Sequence, residues 1–220
     1  VWARSASMGF NRIVDARGDA RNPRTAGREI PVGNISIRET SLFVLLSSIL
    51  FVLSAAAISM ICFLYSFPVL LILFSYSFTK RFTWLSHLAL GFAQALNPLG
   101  VWLAVTGGFS LKISVLAMTL GTYMVGLDLI YACQDVEFDR TEGLYSLPAN
   151  LGVERALTVS AIMHIITFIS LLSLYWVFSL SNFYLAFAII IGIFLYIEHA
   201  LVTPHDLSRI DIAFFHVNSV

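Results

Sequence analysis

The sequence predicts an all-α, polytopic membrane protein, and two observations support that fold class. Hydrophobic residues make up 58% of the 220 residues and charged residues only 12%, whereas a soluble domain carries about 25% charged residues. Two long stretches, residues 40–79 and 156–197, contain no Asp, Glu, Lys or Arg. Only helices and closed barrels satisfy the backbone in lipid. Because these stretches lack the alternation of barrel strands, we predict transmembrane helices.

The charge-free stretches also predict the number of spans. As a helix, residues 40–79 would extend about 60 Å, which is two crossings of a hydrocarbon core about 30 Å thick. Residues 156–197 give a second pair of spans in the same way. We predict seven full spans and the start of an eighth near Asp206, cut off at Val220. The seven cover residues 1–19, 40–58, 61–79, 84–105, 112–134, 153–178 and 182–202.

The charge balance and the cysteines exclude other classes of protein. Lys and Arg number 13, as do Asp and Glu, so the net charge is zero. A basic nucleic-acid-binding protein is excluded, because no excess positive charge is present to neutralise phosphates. Cys62 and Cys133 lie in apolar stretches without CxxC spacing, so neither a disulfide framework nor a zinc site is predicted.

Lys and Arg concentrate in alternate connections between the predicted helices. The first, third, fifth and seventh connections are basic, the second and sixth carry no Lys or Arg, and the fourth carries only Lys112. The positive-inside rule therefore places the odd-numbered connections on the cytoplasmic side, and we expect a multi-pass protein of the cell inner (plasma) membrane. The acidic residues lie in or near the same connections. We expect the chemistry at the cytoplasmic face.

The first acidic group lies on the first predicted helix. Asn11, Asp15 and Asp19 follow one another at i, i+4 spacing, with Arg4 seven residues before Asn11. Each step of four residues rotates by about 40°, so these side chains form one polar ridge. Carboxylate and amide oxygens are suitable ligands for Mg²⁺. A solvated helix end is the alternative interpretation.

The second acidic group lies at the end of the fifth predicted helix. Asp135 and Asp139 are again four residues apart, and Asp128 precedes them by two turns on the same face. Asp128 follows fifteen uncharged residues, at a depth where an ionisable group is costly and usually functional. Pairing with Arg140 or Arg155 would explain one acid but not three. Two facing acidic groups would repel unless cations lay between them.

Basic residues accompany both acidic groups. Arg24 and Arg28 follow the first, and Lys80 and Arg81 lie in a connection assigned to the same membrane face. Guanidinium groups bind phosphate or carboxylate through two contacts, and Lys supplies a compact charge. Taken singly, each could instead be an ordinary positive-inside anchor.

Four segments together resemble the UbiA superfamily of intramembrane prenyltransferases. They read NRIVDARGDARNPRTAGREIPVG, SFTKRFTWLSHLALG, GLDLIYACQDVEFDRTEGLYSLPANLG and DLSRIDIAFFHVN. The first and third carry the two Asp-rich motifs of that family. The residues within these segments are similar to those of the 4-hydroxybenzoate polyprenyltransferase-like branch. That branch includes enzymes of ubiquinone synthesis and of the futalosine route to menaquinone.

The resemblance implies a bundle of nine transmembrane helices around a central cavity. Residues 1–220 would then form a single prenyltransferase domain that lacks the first helix and part of the last. It implies Mg²⁺-dependent transfer of a polyprenyl group from its diphosphate to the ring of a hydroxyaryl carboxylate, either 4-hydroxybenzoate or a hydroxynaphthoate. Membrane lipid would surround the protein, and the apolar interior would accept the isoprenoid tail.

The resemblance also implies roles for individual residues. Asp128 and Tyr131 would be catalytic, and Tyr131 is favoured for stabilising an allylic cation over Phe10, Tyr76, Trp102 and Tyr123. Metal ligands would be Asn11, Asp15 and Asp19 for one ion and Asp135 and Asp139 for the other. Diphosphate would be bound by Arg4, Arg24, Lys80 and Arg81, and the acceptor carboxylate by Arg28 or Arg81.

Two functions from other classes remain open at the level of sequence. Intramembrane acids also mark the ion or proton pathways of transporters. A transporter is expected to carry inverted repeats and polar access from both faces, whereas this sequence has no evident repeat. A scaffold subunit would not need the acidic residues. The five histidines lack paired metal spacing and are expected to be structural.

Overall fold

The computed structural model describes residues 1–216, which are mostly helical and contain no named β-strand. Three short turns of other helix types, at Tyr76–Arg81, Cys133–Asp135 and Ile212–His216, supplement the α-helices. In chain order the α-helices of these residues are α1 Trp2–Asp19, α2 Ile37–Ile58, α3 Met60–Ser75, α4 Ser86–Thr106, α5 Leu111–Ala132, α6 Val136–Thr141, α7 Leu147–Leu151, α8 Val153–Val177 and α9 Asn182–Leu201. The predicted all-α class is confirmed.

Six helical segments within residues 1–216 are long and apolar enough to cross a membrane. They are Ile37–Ile58, Met60–Arg81, Ser86–Thr106, Leu111–Thr141, Val153–Val177 and Asn182–Leu201. Large apolar side chains on these segments are exposed, as for Val105 and Phe183, each 80% accessible. Such exposure is expected where lipid, rather than water, is the solvent.

The predicted count of seven full spans is not confirmed. Helix α1 forms over nearly the predicted residues, but it is not among the six candidate spans. Charged side chains recur along it, namely Arg4, Arg12, Asp15, Arg17 and Asp19, and each is costly inside a bilayer. Length alone therefore does not make α1 a span.

The predicted eighth helix is only partly within the described residues. Thr203 and Asp206 first form a tight turn, with backbone N–H to O distances of 3.2 and 3.1 Å in the two directions. A turn of π-helix follows at Ile212–His216. The remainder of that prediction, residues 217–220, lies outside the described residues.

Serine side chains fix where several helices begin. Ser36 accepts a hydrogen bond from the Glu39 backbone N–H, and the Glu39 carboxylate accepts one from the Ser36 N–H in return. This capping box starts α2 at Ile37, three residues before the predicted start. Ser59 caps α3 and Ser110 caps α5 in the simpler one-bond manner.

The chain forms two compact units, the first comprising Val1–Thr79 with Leu103–Gly107. Within it, α1 packs against α2 and α3. Phe10 of α1 contacts Phe74 and Phe78 with ring centroids 4.5 and 5.8 Å apart. The Ser7 hydroxyl donates to the Leu73 carbonyl at 3.4 Å. These contacts join the N-terminal half of α1 to the end of α3.

The second unit comprises Lys80–Trp102 with Gly108–Val220, and its core lies where α5 packs against α8. Leu129, Ile130 and Ala156 are completely buried there. Helices α4 and α5 also approach closely, since a Cβ built at Gly91 would lie 2.6 Å from the Gly121 carbonyl oxygen. Small residues allow such close contact between membrane helices.

A buried polar network joins α5, α8 and α9 within the second unit. The His164 Nε2 atom lies 3.3 Å from the Tyr123 carbonyl oxygen, and its Nδ1 atom lies 3.0 Å from His199 Nε2. The same Nδ1 atom is 3.5 Å from the Glu198 carboxylate. His164 is 3% and Glu198 1% exposed. The expectation of a structural histidine thus agrees with the environment of His164.

Gly126 leaves the space that the His164 ring occupies, and its replacement by alanine is expected to destabilise the protein. An added Cβ would overlap Cδ2 and Nε2 of His164. Overpacking of this kind costs about 1–3 kcal/mol in the free energy of unfolding. Unfolding titrations in mixed detergent micelles provide the measurement.

The control for this prediction is Gly100→Ala, a glycine of α4 whose added Cβ would meet no atom within 4 Å. Its effect is expected to stay within about 1 kcal/mol. Equal destabilisation by the two substitutions would show that the overlap with His164 is not the cause.

Candidate functional site

The first acidic group lies in the first unit, on α1. The Asn11 side-chain amide donates to the Asp15 carboxylate at 3.0 Å, as the i, i+4 spacing allows. Both side chains are half-buried. The structure thus brings Asn11 and Asp15 together on the same face of α1.

Asp19, the last residue of α1, has different neighbours. It is 8% exposed, and its Oδ1 atom accepts a hydrogen bond from Arg28 Nη1 at 2.6 Å. Arg12 Nη1 lies 3.9 Å from Oδ2, and no hydrogen bond reaches Oδ2 among the described residues. The Thr25 hydroxyl donates to the Asp19 backbone carbonyl at 3.1 Å and folds the following connection back onto the helix end.

A cavity of about 420 Å³ lies beside this end of α1, within the first unit. Asp19, Arg28 and Glu39 are among its lining residues, as is Phe43 of α2. Asn11 and Asp15 are not among its lining residues. Eight residues along a helix rotate by about 80°, which separates the cavity-facing Asp19 from Asn11.

Two predicted diphosphate ligands of the first unit are exposed. Arg4 lies in the first turn of α1, and Arg24 lies in the connection after it. The Arg24 backbone N–H donates to the Asn22 side-chain oxygen at 3.0 Å, which forms a tight turn. Arg28, the predicted carboxylate ligand, is instead occupied by Asp19.

In the second unit, Asp128 of α5 is bound by a histidine. His87 Nδ1, in the first turn of α4, lies 2.6 Å from Asp128 Oδ2. The backbone N–H of Leu147 donates to His87 Nε2 at 3.3 Å. The His87 side chain is 2% exposed and that of Asp128 27%. His87 belongs to neither predicted acidic group, so this contact adds a residue to the site.

Asp135 and Asp139 lie where the long fifth helix is interrupted. A turn of 3₁₀-helix at Cys133–Asp135 separates α5 from α6, which carries Asp139. Asp135 is 9% and Asp139 3% exposed. The two carboxylates are close enough to interact electrostatically, and Ser146 donates a hydrogen bond to Asp139. The Asp139 Oδ2 atom has no hydrogen-bond partner among the described residues.

Lys80 provides the positive charge of this group. It interacts electrostatically with both Asp128 and Asp139. Its backbone carbonyl accepts a hydrogen bond from the Tyr145 N–H at 2.7 Å, which joins the Lys80 turn to the connection before α7. Arg81, the neighbouring predicted ligand, is exposed. The predicted residues Lys80, Asp128, Asp135 and Asp139 therefore form one cluster.

Tyr131, the predicted cation-stabilising residue, is covered by another ring. It stacks on Phe214 with centroids 4.2 Å apart and planes inclined by 29°. The Gln134 side chain reaches Asp211 in the same segment at 3.4 Å. The C-terminal segment of the second unit therefore packs beside the end of α5.

The residues of both motifs fit Mg²⁺ in their chemistry. Among residues 1–216, no three His, Cys, Asp or Glu side chains are grouped so as to hold a metal ion by themselves. Mg²⁺ commonly takes only one or two protein carboxylates and completes its shell with water and substrate phosphate. Each motif contains a buried carboxylate oxygen without a hydrogen bond, Asp19 Oδ2 and Asp139 Oδ2. Such an oxygen is available to a cation.

Outside the spans, Asp206 illustrates an ordinary surface carboxylate. The hydroxyl and backbone N–H of Ser208 donate to it at 2.6 and 3.0 Å. These bonds hold the pKa of Asp206 below its usual range. This exposed residue is therefore ionised at neutral pH.

Similar proteins are found by sequence. A polyprenyl transferase of Arthrinium sp. is 29% identical over 190 residues, which cover 78% of this chain and 59% of that protein. The 4-hydroxybenzoate octaprenyltransferase of Nitrosomonas eutropha is 27% identical over 222 residues, covering 100% of this chain and 77% of that protein. The chain thus spans less than two thirds of the length of the Arthrinium relative.

Similar folds are found among solved structures. The apo structure of a UbiA homolog from Aeropyrum pernix K1 matches with a TM-score of 0.89 at 28% identity, covering 98% of this chain and 82% of that one. A UbiA homolog from Archaeoglobus fulgidus bound to DMAPP and Mg²⁺ matches with a TM-score of 0.72 at 21% identity, covering 100% and 84%. The latter likeness concerns the fold alone.

The family found by sequence is the same as that of the solved structures with a similar fold. The model of the UbiA prenyltransferase family matches residues 1–220, which is the whole chain. The helical architecture, with its six candidate spans, agrees with that of the solved UbiA homologs. The chain therefore belongs to the UbiA prenyltransferase family.

Proposed function

We propose that this protein transfers a polyprenyl group from polyprenyl diphosphate to the ring of a hydroxyaryl carboxylate, as a step of quinone biosynthesis. The observation that carries the proposal is the cluster formed by Lys80, the half-buried Asp128 and the buried pair Asp135 and Asp139. Family membership supports the reaction type. The names of the bacterial relatives support 4-hydroxybenzoate as acceptor, with a hydroxynaphthoate as the second candidate.

We propose that Mg²⁺ is the cofactor, as in the Archaeoglobus fulgidus homolog that is bound to it. Asn11, Asp15 and Asp19 would hold one ion, and Asp135 and Asp139 the other. The ions supply positive charge that neutralises the leaving diphosphate. The two carboxylate oxygens without hydrogen bonds, one in each motif, support this assignment.

Basic side chains bind the two anionic groups of the substrates. Lys80, Arg81, Arg4 and Arg24 contact the diphosphate, and Arg28 or Arg81 binds the acceptor carboxylate. Arg28 already donates from Nη1 to Asp19 at 2.6 Å, which leaves its other N–H groups for the acceptor. Arg81 is exposed, and either guanidinium group can bind a carboxylate through two N–H groups.

The reaction exchanges one bond for another. The allylic C–O bond of the prenyl diphosphate breaks, and its electron pair leaves with the diphosphate. The ring of the acceptor supplies an electron pair for the new C–C bond, after which the substituted ring carbon loses its proton. We assign that proton to the Asp128 carboxylate. The Tyr131 ring stabilises the allylic cation through its π face.

The location follows from the substrate. A long isoprenoid tail is apolar and is more stable in apolar surroundings than in water. The six apolar candidate spans provide such surroundings. The basic connections place the charged residues at the cytoplasmic face by the positive-inside rule. We therefore propose a multi-pass inner membrane enzyme whose active site opens to the cytoplasm.

The test uses the protein reconstituted in lipid vesicles with radiolabelled polyprenyl diphosphate. We expect labelled product with 4-hydroxybenzoate or with a hydroxynaphthoate in the presence of Mg²⁺, and no product when EDTA replaces Mg²⁺. The preferred acceptor is read from the ratio of the two kcat/KM values. Absence of product with both acceptors, or equal product in EDTA, would contradict the proposal.

A further inference from the structure

We propose that His87 is a positioning residue that holds the Asp128 carboxylate in the orientation needed to accept a proton. This inference rests on the function proposed above, in which Asp128 receives the proton lost by the acceptor ring. It concerns a residue that belongs to neither Asp-rich motif and that the sequence patterns did not single out.

The bond between His87 and Asp128 is short and largely shielded from water. Nδ1 and Oδ2 are 2.6 Å apart, which is shorter than most hydrogen bonds that involve an ionised partner. The His87 side chain is 2% exposed, whereas that of Asp128 is 27% exposed. One Asp128 oxygen is thus held by a buried ring, while part of the Asp128 side chain stays accessible.

The second nitrogen of His87 fixes the position of the ring proton. The backbone N–H of Leu147 donates to Nε2 at 3.3 Å, so Nε2 must carry a lone pair. A neutral imidazole with a lone pair on Nε2 carries its proton on Nδ1. His87 therefore donates to Asp128, and Asp128 accepts as a carboxylate. Protonation of both nitrogens would break the bond to Leu147.

The backbone that donates to His87 is itself held in place by further hydrogen bonds. Leu147 is the first residue of α7, and Ser146 caps that helix by accepting from the Ala149 N–H at 3.4 Å. Ser146 also donates to Asp139. His87 consequently links Asp128 to the connection that carries the partner of Asp139. A carboxylate oriented by a bond of this kind loses little freedom during reaction.

The test is a double-mutant cycle on the reconstituted protein, with prenyl transfer measured as kcat and KM. His87→Ala is expected to lower kcat about 10–100-fold, the size seen when a group that orients a reactive residue is removed. The KM for the prenyl diphosphate should be unchanged. In an Asp128→Asn background, His87→Ala should lower kcat by less than about twofold, because its effect passes through Asp128.

A conservative variant and a surface control complete the design. His87→Gln can donate an N–H to Asp128 and accept from Leu147, so it should recover most of the kcat lost in His87→Ala even if the alanine variant folds poorly. His205→Ala, at an exposed histidine, should leave kcat unchanged. Thermal unfolding of each variant separates loss of fold from loss of orientation.

The outcomes distinguish this inference from the proposed function. Equal loss of kcat from His87→Ala in both backgrounds would overturn the positioning role while leaving the proposed function intact. No loss in His87→Ala would do the same. A wild-type protein without transfer to either acceptor would overturn the proposed function and, with it, this inference.

Discussion

Asp135→Asn is expected to lower prenyl transfer about 10²-fold or more, because it removes a carboxylate from the place where diphosphate charge must be balanced. The same substitution should leave the unfolding temperature no lower than that of the wild type. Asp135 and Asp139 are both buried and interact electrostatically, so removing one negative charge relieves repulsion when no cation is bound. Activity and stability should therefore respond differently.

The matched control is Glu137→Gln, the same change from acid to amide at an exposed position two residues away. It should leave both the rate and its dependence on Mg²⁺ concentration unchanged. Transfer rates across a Mg²⁺ titration, together with thermal unfolding in EDTA, provide the measurements. If Asp135→Asn and Glu137→Gln behaved alike, Asp135 would have no role as a metal ligand.

Asp128→Asn is the second substitution with a large expected effect. The asparagine oxygen still accepts from His87 Nδ1, so the geometry of the 2.6 Å contact is preserved. The side chain can no longer take up a proton, however, and removal of such a group typically costs about 10²- to 10⁴-fold in rate. We expect kcat to fall by that amount while the KM for the prenyl diphosphate changes little.

Asp206→Asn serves as the control for charge. Its carboxylate is exposed and ionised, because Ser208 holds its pKa low. Loss of this negative charge should not alter kcat. If Asp128→Asn raised the KM for the prenyl diphosphate and left kcat unchanged, Asp128 would be assigned to substrate binding. That result would contradict its role as proton acceptor.

Much of the fold could be predicted because membranes impose a simple rule. Apolar segments long enough to cross a bilayer correspond to α2 through α5, α8 and α9, although α5 also carries Asp128. The rule does not extend to α1, a helix with five charged side chains that is not among the six candidate spans. It also gave no sign of α6 and α7, since short helices of five or six residues leave no periodic pattern.

The candidate site was predictable only where its residues are neighbours in the chain. The i, i+4 spacing of Asn11 and Asp15 anticipates their contact on α1. His87 and Asp128 are 41 positions apart, and no local pattern connects them. The pairing could have been suspected on physical grounds, because a carboxylate inside the membrane needs a polar partner. His87 is such a group in a segment without Asp, Glu, Lys or Arg.

The pairing of Asp19 with Arg28 was missed for another reason. A carboxylate and a guanidinium nine residues apart do not share a helix face, so the spacing gave no reason to join them. The connection after α1 turns back through the Thr25 bond to the Asp19 carbonyl and brings Arg28 to the cavity. Turns of this kind depend on tertiary contacts rather than on periodicity.

The hydrogen bonds of His164 limit how protons are distributed over His164, His199 and Glu198. Because the Tyr123 carbonyl can only accept, His164 Nε2 must carry a proton. Three protons distributed over His164, His199 and Glu198 give zero net charge, whether the third resides on the carboxyl group or on His164 Nδ1. The two arrangements differ only in which of the two atoms, His164 Nδ1 or the Glu198 carboxylate oxygen 3.5 Å from it, carries that proton. Burial of His164 and Glu198 favours this number of protons, because an unbalanced charge is costly away from water.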